Sequence, residues 1–368
     1  MIDNDPGVTA IELFFDLVFV FTITQLTHAV AHEPTVTGVA RAMLIFGNLW
    51  WMYGGFVWLT NTVPPTGDRE RLLLLVAMGG FLLAALGISN GFADGGFTLG
   101  VGYLVVNIVH GWLLLGRMEG SLLRAMGRLG PVNLGTASLI LAAGFTPTKV
   151  TWALWIGAFV LHWATPYLTD PTVVDLRSRH FVERHGLIVL IALGESVFAV
   201  GAGLNDGGGV SRQRLVAALL GLAVAAGLWW LYFDHEEESA VNAFEASDGR
   251  RRSWLALHAY GYAFMPLLGG IILLAAGLQR AIVHPGQRTQ TNTAVLLAVG
   301  LSIFALALVG IRARLRLGRL RPRAALVVVA LPTTVIGTRI SALAQLAALA
   351  TVLLAVNVHE RARPRTAT

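Results

Sequence analysis

From about residue 10 to residue 358 the chain is a succession of long apolar runs with almost no polar face between them. A helix at the surface of a soluble protein keeps a polar side toward water. A run of about 20 apolar residues has none, satisfies its backbone internally and matches the hydrocarbon thickness of a bilayer. Composition agrees: 55% of residues are hydrophobic and 13% charged, where soluble domains carry about 25% charged residues. The pattern predicts an all-α polytopic membrane protein with about 12 transmembrane helices. They are expected near 10–31, 39–61, 72–92, 98–116, 125–145, 150–168, 185–204, 214–233, 254–278, 291–311, 323–337 and 340–358. The first run starts with acids and lacks a basic leader, so it reads as a retained helix. The last two are short, because Arg339 interrupts their apolar stretch behind Pro332 and Gly337. One of them reads equally well as re-entrant.

The 27 basic residues, of which only Lys149 is a lysine, divide unevenly over the loops: 20 on the side of the N-terminus and 7 on the other. Arginine excess marks the cytoplasmic side, so both termini are expected there, in a bacterial cell (inner) membrane. The densest cluster, Arg312, Arg314, Arg316, Arg319, Arg321 and Arg323, is expected along anionic lipid headgroups. Charge alone does not make a nucleic-acid site, so membrane lipids are the expected partners; self-association is left open. With no cysteine, disulfides, thiol catalysis and Cys-held metal or iron–sulfur centres are excluded. No phosphate-binding loop or nucleophile elbow is present, and no cofactor is expected.

The chain reads as two six-helix halves, 1–175 and 176–368. Leu49-Trp50-Trp51-Met52-Tyr53 in the second span returns as Leu228-Trp229-Trp230-Leu231-Tyr232 in the eighth. The acid-led opening of the first span is echoed from Glu183 in the seventh. Six is even, so the halves would run parallel, as in transporters that bind substrate between repeats.

An ionisable group inside the bilayer is costly unless paired or wetted, and so marks a site. On the first span Glu12, Asp16, Thr24, Thr27 and His28 fall within about 160° of one another at 100° per residue, with Gln25 adjoining. On the seventh, Glu183, Arg184 and His185 stand at the cytoplasmic mouth and Glu195-Ser196 near mid-depth. Asp16, Thr24, Gln25, His28, Glu183, Arg184, His185, Glu195 and Ser196 are thus candidate substrate- or ion-binding residues. Glu12, Trp51, Asn107, His110 and Trp230 are candidate cavity-lining residues. Each has a plainer reading: Glu12 as a helix N-terminal acid, the tryptophans as anchors or packing, single histidines and asparagines as helix-to-helix hydrogen bonds. No metal-ligand spacing occurs; a metal would need Asp16, Glu195 and two histidines drawn from several helices. Asp234 to Glu238 reads as a solvated acidic run.

Glu12-Leu13-Phe14-Phe15-Asp16-Leu17-Val18-Phe19-Val20-Phe21, followed by Thr24-Gln25-Leu26 and His28, resembles the opening signature of the low-temperature-requirement A (LtrA) bacterial membrane proteins. Trp50-Trp51 with Thr60-Asn61 is similar to their second span, and Glu183-Arg184-His185-Gly186-Leu187 with Leu193-Gly194-Glu195-Ser196 to their central motif. The resemblance covers essentially the whole chain, on hydropathy mainly in its last third. His185 departs from the aromatic residue common in that family. The resemblance implies a membrane protein linked to growth in the cold and carries no substrate. On the residues, a secondary transporter or an ion or proton pathway for an unknown small solute or ion is the leading reading. A membrane-embedded enzyme acting on lipid or isoprenoid, and a structural or sensory protein in cold adaptation, are the alternatives.

Overall fold

The structure, a computed structural model, describes residues 7–92, 96–115, 120–169, 176–206, 211–234 and 236–362. These residues form helices and no strand. In chain order the helices are α1 (Ala10–His32), α2 (Val36–Thr62), α3 (Asp68–Leu86), α4 (Phe97–Leu115), α5 (Gly120–Ala143), α6 (Thr148–Thr169), α7 (Ser178–Asp206), α8 (Arg212–Phe233), α9 (Glu236–Glu245), α10 (Gly249–Ala256), α11 (Phe264–Val283), α12 (Thr291–Leu315), α13 (Arg321–Val329), α14 (Thr333–Arg339) and α15 (Ala342–Ala362). A π-helical turn, Leu257–Tyr262, joins α10 to α11.

Every one of the twelve expected spans falls on helix, but among the described residues only eight segments are both long and apolar enough to cross a membrane. The shortfall has local causes. α3 opens on Asp68, Arg69, Glu70 and Arg71. The expected span 323–337 is two short helices of nine and seven residues, broken at Ala330–Pro332. Pro332 has no N–H to continue the ladder. Neither piece alone, at about 1.5 Å per residue, reaches across a bilayer.

The described chain falls into two compact units. One takes Met1–Ala29, Val39–Ile188 and Val241–Leu257; the other takes Val30–Gly38, Val189–Ala240 and His258–Thr368. The first contains α2 to α6 with most of α1, the opening of α7 and the α9–α10 turn. Its α3 and α4 meet backbone to backbone: a Cβ on Gly80 would sit 3.0 Å from the Gly102 carbonyl oxygen. Without a hydrophobic drive between helices in lipid, such close approach supplies the van der Waals contact that holds them. In the second unit α11 and α12 pack the same way through Gly270 and Gly300, and α8 meets α15, where Asn357 Nδ2 donates to the Gly227 carbonyl at 3.2 Å. Large apolar side chains point outward along the helices, among them Leu13, Phe14 and Leu17 on α1 and Trp112 and Leu115 on α4. That is the surface a bilayer would cover.

Candidate functional site

α1 begins with one half of a capping box. Thr9 precedes the helix and Glu12 is its third residue; the Glu12 carboxylate accepts from the Thr9 N–H at 3.0 Å and from its hydroxyl at 2.8 Å. This satisfies an N–H that has no partner inside the helix. It also turns the Glu12 side chain inward, where it is 1% exposed. One turn on, Asp16 lies on the same face and is wholly buried, while Leu13, Phe14 and Leu17 face out.

α7 supplies the counter-charge. Its residues 180 and 184 are also one turn apart, so His180 and Arg184 project from one face. The Arg184 guanidinium, itself 1% exposed, holds both acids. Nε and Nη2 donate to Asp16 Oδ1 at 3.2 and 3.0 Å, and Nη1 donates to Glu12 Oε1 at 3.2 Å and to the Thr60 hydroxyl. Tyr53 of α2 donates to Asp16 Oδ1 at 2.9 Å. Its ring is stacked on Phe19, centroids 4.4 Å apart, and the guanidinium carbon lies 5.7 Å from the Phe15 ring centre. The cluster therefore sits in an aromatic shell that excludes water.

His180 completes it. Its Nε2 is 3.2 Å from Glu12 Oε2, and its Nδ1 is 3.2 Å from Asn61 Nδ2. Asn61 cannot turn over, because Oδ1 accepts from the Arg177 N–H and Nδ2 donates to the Arg177 carbonyl, both at 3.0 Å. An amide N–H thus faces Nδ1, which must accept, and the imidazole proton stays on Nε2 toward Glu12. Two carboxylates thus face one guanidinium, with the His180 imidazole beside Glu12.

Of the residues singled out from sequence, Glu12, Asp16 and Arg184 meet here. Arg184, expected at the cytoplasmic mouth of the seventh span, is the hub. Glu183, its neighbour, points outward and is exposed, as is His28 at the far end of α1; neither joins the cluster. Thr24 and Gln25 are half-buried, and the Thr24 hydroxyl lies 3.4 Å from the Val20 carbonyl. His185 is buried against Trp50, its Nδ1 2.8 Å from the Phe181 carbonyl. Glu195 and Ser196 are buried in the second unit. Trp51 stacks on His162, while Asn107 and His110 are buried on α4. Trp230 lies under the Arg361 guanidinium, 3.8 Å away. Two charged-cluster expectations need correction. Arg323 is not at a headgroup surface: it is 1% exposed and its Nε donates to Glu360 at 3.2 Å. Asp234 does not merely face solvent, since Arg361 lies 3.6 Å from it. Sequence reading missed Thr9, Tyr53, Thr60, Arg177 and His180. The Thr9-x-x-Glu12 spacing and the one-turn spacing of His180 and Arg184 were the available signals.

The family model described as bacterial low temperature requirement A protein matches residues 7–358. The chain is also 25% identical over 296 residues to an uncharacterized protein of Rhizobium meliloti (strain 1021), an alignment covering 77% of this chain and 72% of that protein.

Proposed function

The chain belongs to the bacterial low temperature requirement A family, and from that premise we propose that it is a secondary transporter or proton pathway whose proton-carrying site is the Glu12–Asp16–Arg184 cluster. One observation carries the reading: two buried carboxylates share a single guanidinium, and the His180 imidazole adjoins Glu12. A charge removed from water costs several kcal/mol. Binding one proton or cation changes the charge of the network, and releasing it restores it, so α1 and α7 feel different forces in the two states. Helix association that changes with protonation is what alternating access requires. Thr27, buried and about three turns beyond Asp16 on nearly the same face, continues the polar line along α1.

The arginine distribution supports a cell-membrane location with both termini in the cytoplasm, and the returning Trp-Trp motif supports a parallel six-plus-six repeat. Arg314, Arg316, Arg319 and Arg321, all exposed, are the groups offered to anionic headgroups.

Proton flux into proteoliposomes, followed with a trapped pH-sensitive dye, tests the proposal. Asp16→Asn and Glu12→Gln are each expected to lower the flux at least tenfold while the protein still elutes as a folded species. Flux equal to wild type in both removes the cluster from the mechanism. A second reading has its own observation: each Arg184 nitrogen already has an acceptor, as in a static lock between helices. On that reading the two substitutions lower thermal stability and cold growth, and the wild type moves no protons.

A further inference from the structure

A second buried polar cluster lies in the same unit, built from α2, α4, α5 and α6 and containing no carboxylate. At its centre His162 of α6 is wholly buried, with Trp51 of α2 stacked on it at 5.7 Å between centroids and 20° between planes. Asn48 Nδ2 donates to the Leu44 carbonyl, which turns Asn48 Oδ1 toward His162 Nδ1 at 3.1 Å. That nitrogen therefore carries the ring proton. The opposite nitrogen, Nε2, lies 2.6 Å from the Thr136 hydroxyl of α5. Tyr103 of α4 donates its hydroxyl to the Asn48 carbonyl at 3.0 Å.

Two side-chain oxygens beside this core have no donor among the described residues: Asn107 Oδ1 on α4 and Asn133 Oδ1 on α5. Both residues are more than nine-tenths buried. Each is within one turn of a residue touching His162. Asn107 Nδ2 donates back to the Tyr103 carbonyl at 2.8 Å, and the Thr136 hydroxyl lies 2.8 Å from the Asn133 carbonyl. A buried amide oxygen without a donor costs about 1–3 kcal/mol, and here two flank one core. The nearby donors Asn48 Nδ2, Asn107 Nδ2 and Tyr103 OH are all directed at main-chain carbonyls. The cluster thus keeps two free acceptor oxygens beside the Trp51–His162 stack and contains no carboxylate or guanidinium.

We propose that this cluster is a binding site for a small monovalent cation, ammonium or an alkali ion, taken by the Asn107 and Asn133 amide oxygens that flank the His162 core. Neutral oxygens offset the desolvation of a single positive charge; without a carboxylate they do not offset that of a divalent ion. The site is independent of the Glu12–Asp16–Arg184 cluster and stands or falls without it.

A ligand that binds only the folded protein raises its melting temperature saturably. The full chain in detergent is therefore melted across ammonium, potassium and sodium chloride series, with choline chloride holding ionic strength constant. At least one ion is expected to give a saturable rise that choline does not, and the ion that does so identifies the occupant. Asn107→Leu with Asn133→Leu is expected to raise the half-saturating concentration at least tenfold, whereas Glu12→Gln leaves it unchanged. A wild-type protein that responds to none of the three ions differently from choline leaves the two oxygens to water and overturns the proposal. A folded double variant that responds like wild type overturns it too. Should the double variant fail to fold, Asn133→Leu alone with the wild-type series decides.

Discussion

Where α1 meets α7, the helices are joined by two carboxylates, a guanidinium and an imidazole, each 2% exposed or less. In the middle of the α11–α12 hairpin no charge takes part. A Cβ on Gly300 would lie 2.7 Å from the Leu274 nitrogen and 2.9 Å from the Gly270 carbonyl oxygen, so the backbones themselves are in contact. Both arrangements answer the same problem, that lipid gives apolar helices no reason to separate from it and join each other. They differ in what can undo them. Close packing is indifferent to protons; a junction built on carboxylates is not. On the proposed function the hairpin is the rigid partner and α1 with α7 the responsive one.

Arg184→Met is the sharpest way to break the contrast. It strands two buried carboxylates and is expected to cost about 3–5 kcal/mol, read as a large drop in the detergent melting temperature. Adding Glu12→Gln and Asp16→Asn to it should recover most of the loss. A melting temperature unchanged by Arg184→Met alone would mean that the ionic junction does not hold the helices. Gly300→Leu comes next. Its side chain meets backbone that cannot give way, and overpacking of this type costs about 1–3 kcal/mol. The melting temperature of that variant should shift with pH in parallel with wild type; a changed pH profile would show that the hairpin is not the inert partner in the comparison. The smallest effect is expected for His28→Ala. His28 lies on α1 but is exposed, so its removal should change stability by no more than about 0.5 kcal/mol and leave proton flux unchanged. A flux defect there would extend the responsive region along α1.

The helices were readable in advance because hydropathy and chain breaks are local. Pro332 marks the gap between α13 and α14 in sequence as it does in structure. Glu12 and Asp16 were readable as one face for the same reason, since the helical period places residues four apart together. Their partner was not. Arg184 lies 168 residues from Asp16, and by composition it resembles the other arginines that flank spans. Tyr53 looked like one aromatic among many, and His180 like part of a connecting segment.

The sequence by itself determined that the chain is a helical membrane protein, where its helices run, and that acids on the first of them must find partners inside it. Those properties follow from free energies that each segment carries alone: transfer of apolar surface, backbone satisfaction within one helix, and the cost of a buried charge. Only packing settled which cation meets those acids, that Asn61 meets His180 beside them, and that Arg323 is buried against Glu360 and not laid on the headgroups. These depend on side chains from distant stretches arriving at one point, and burial at that point is a property of the packed helices together and of no single stretch.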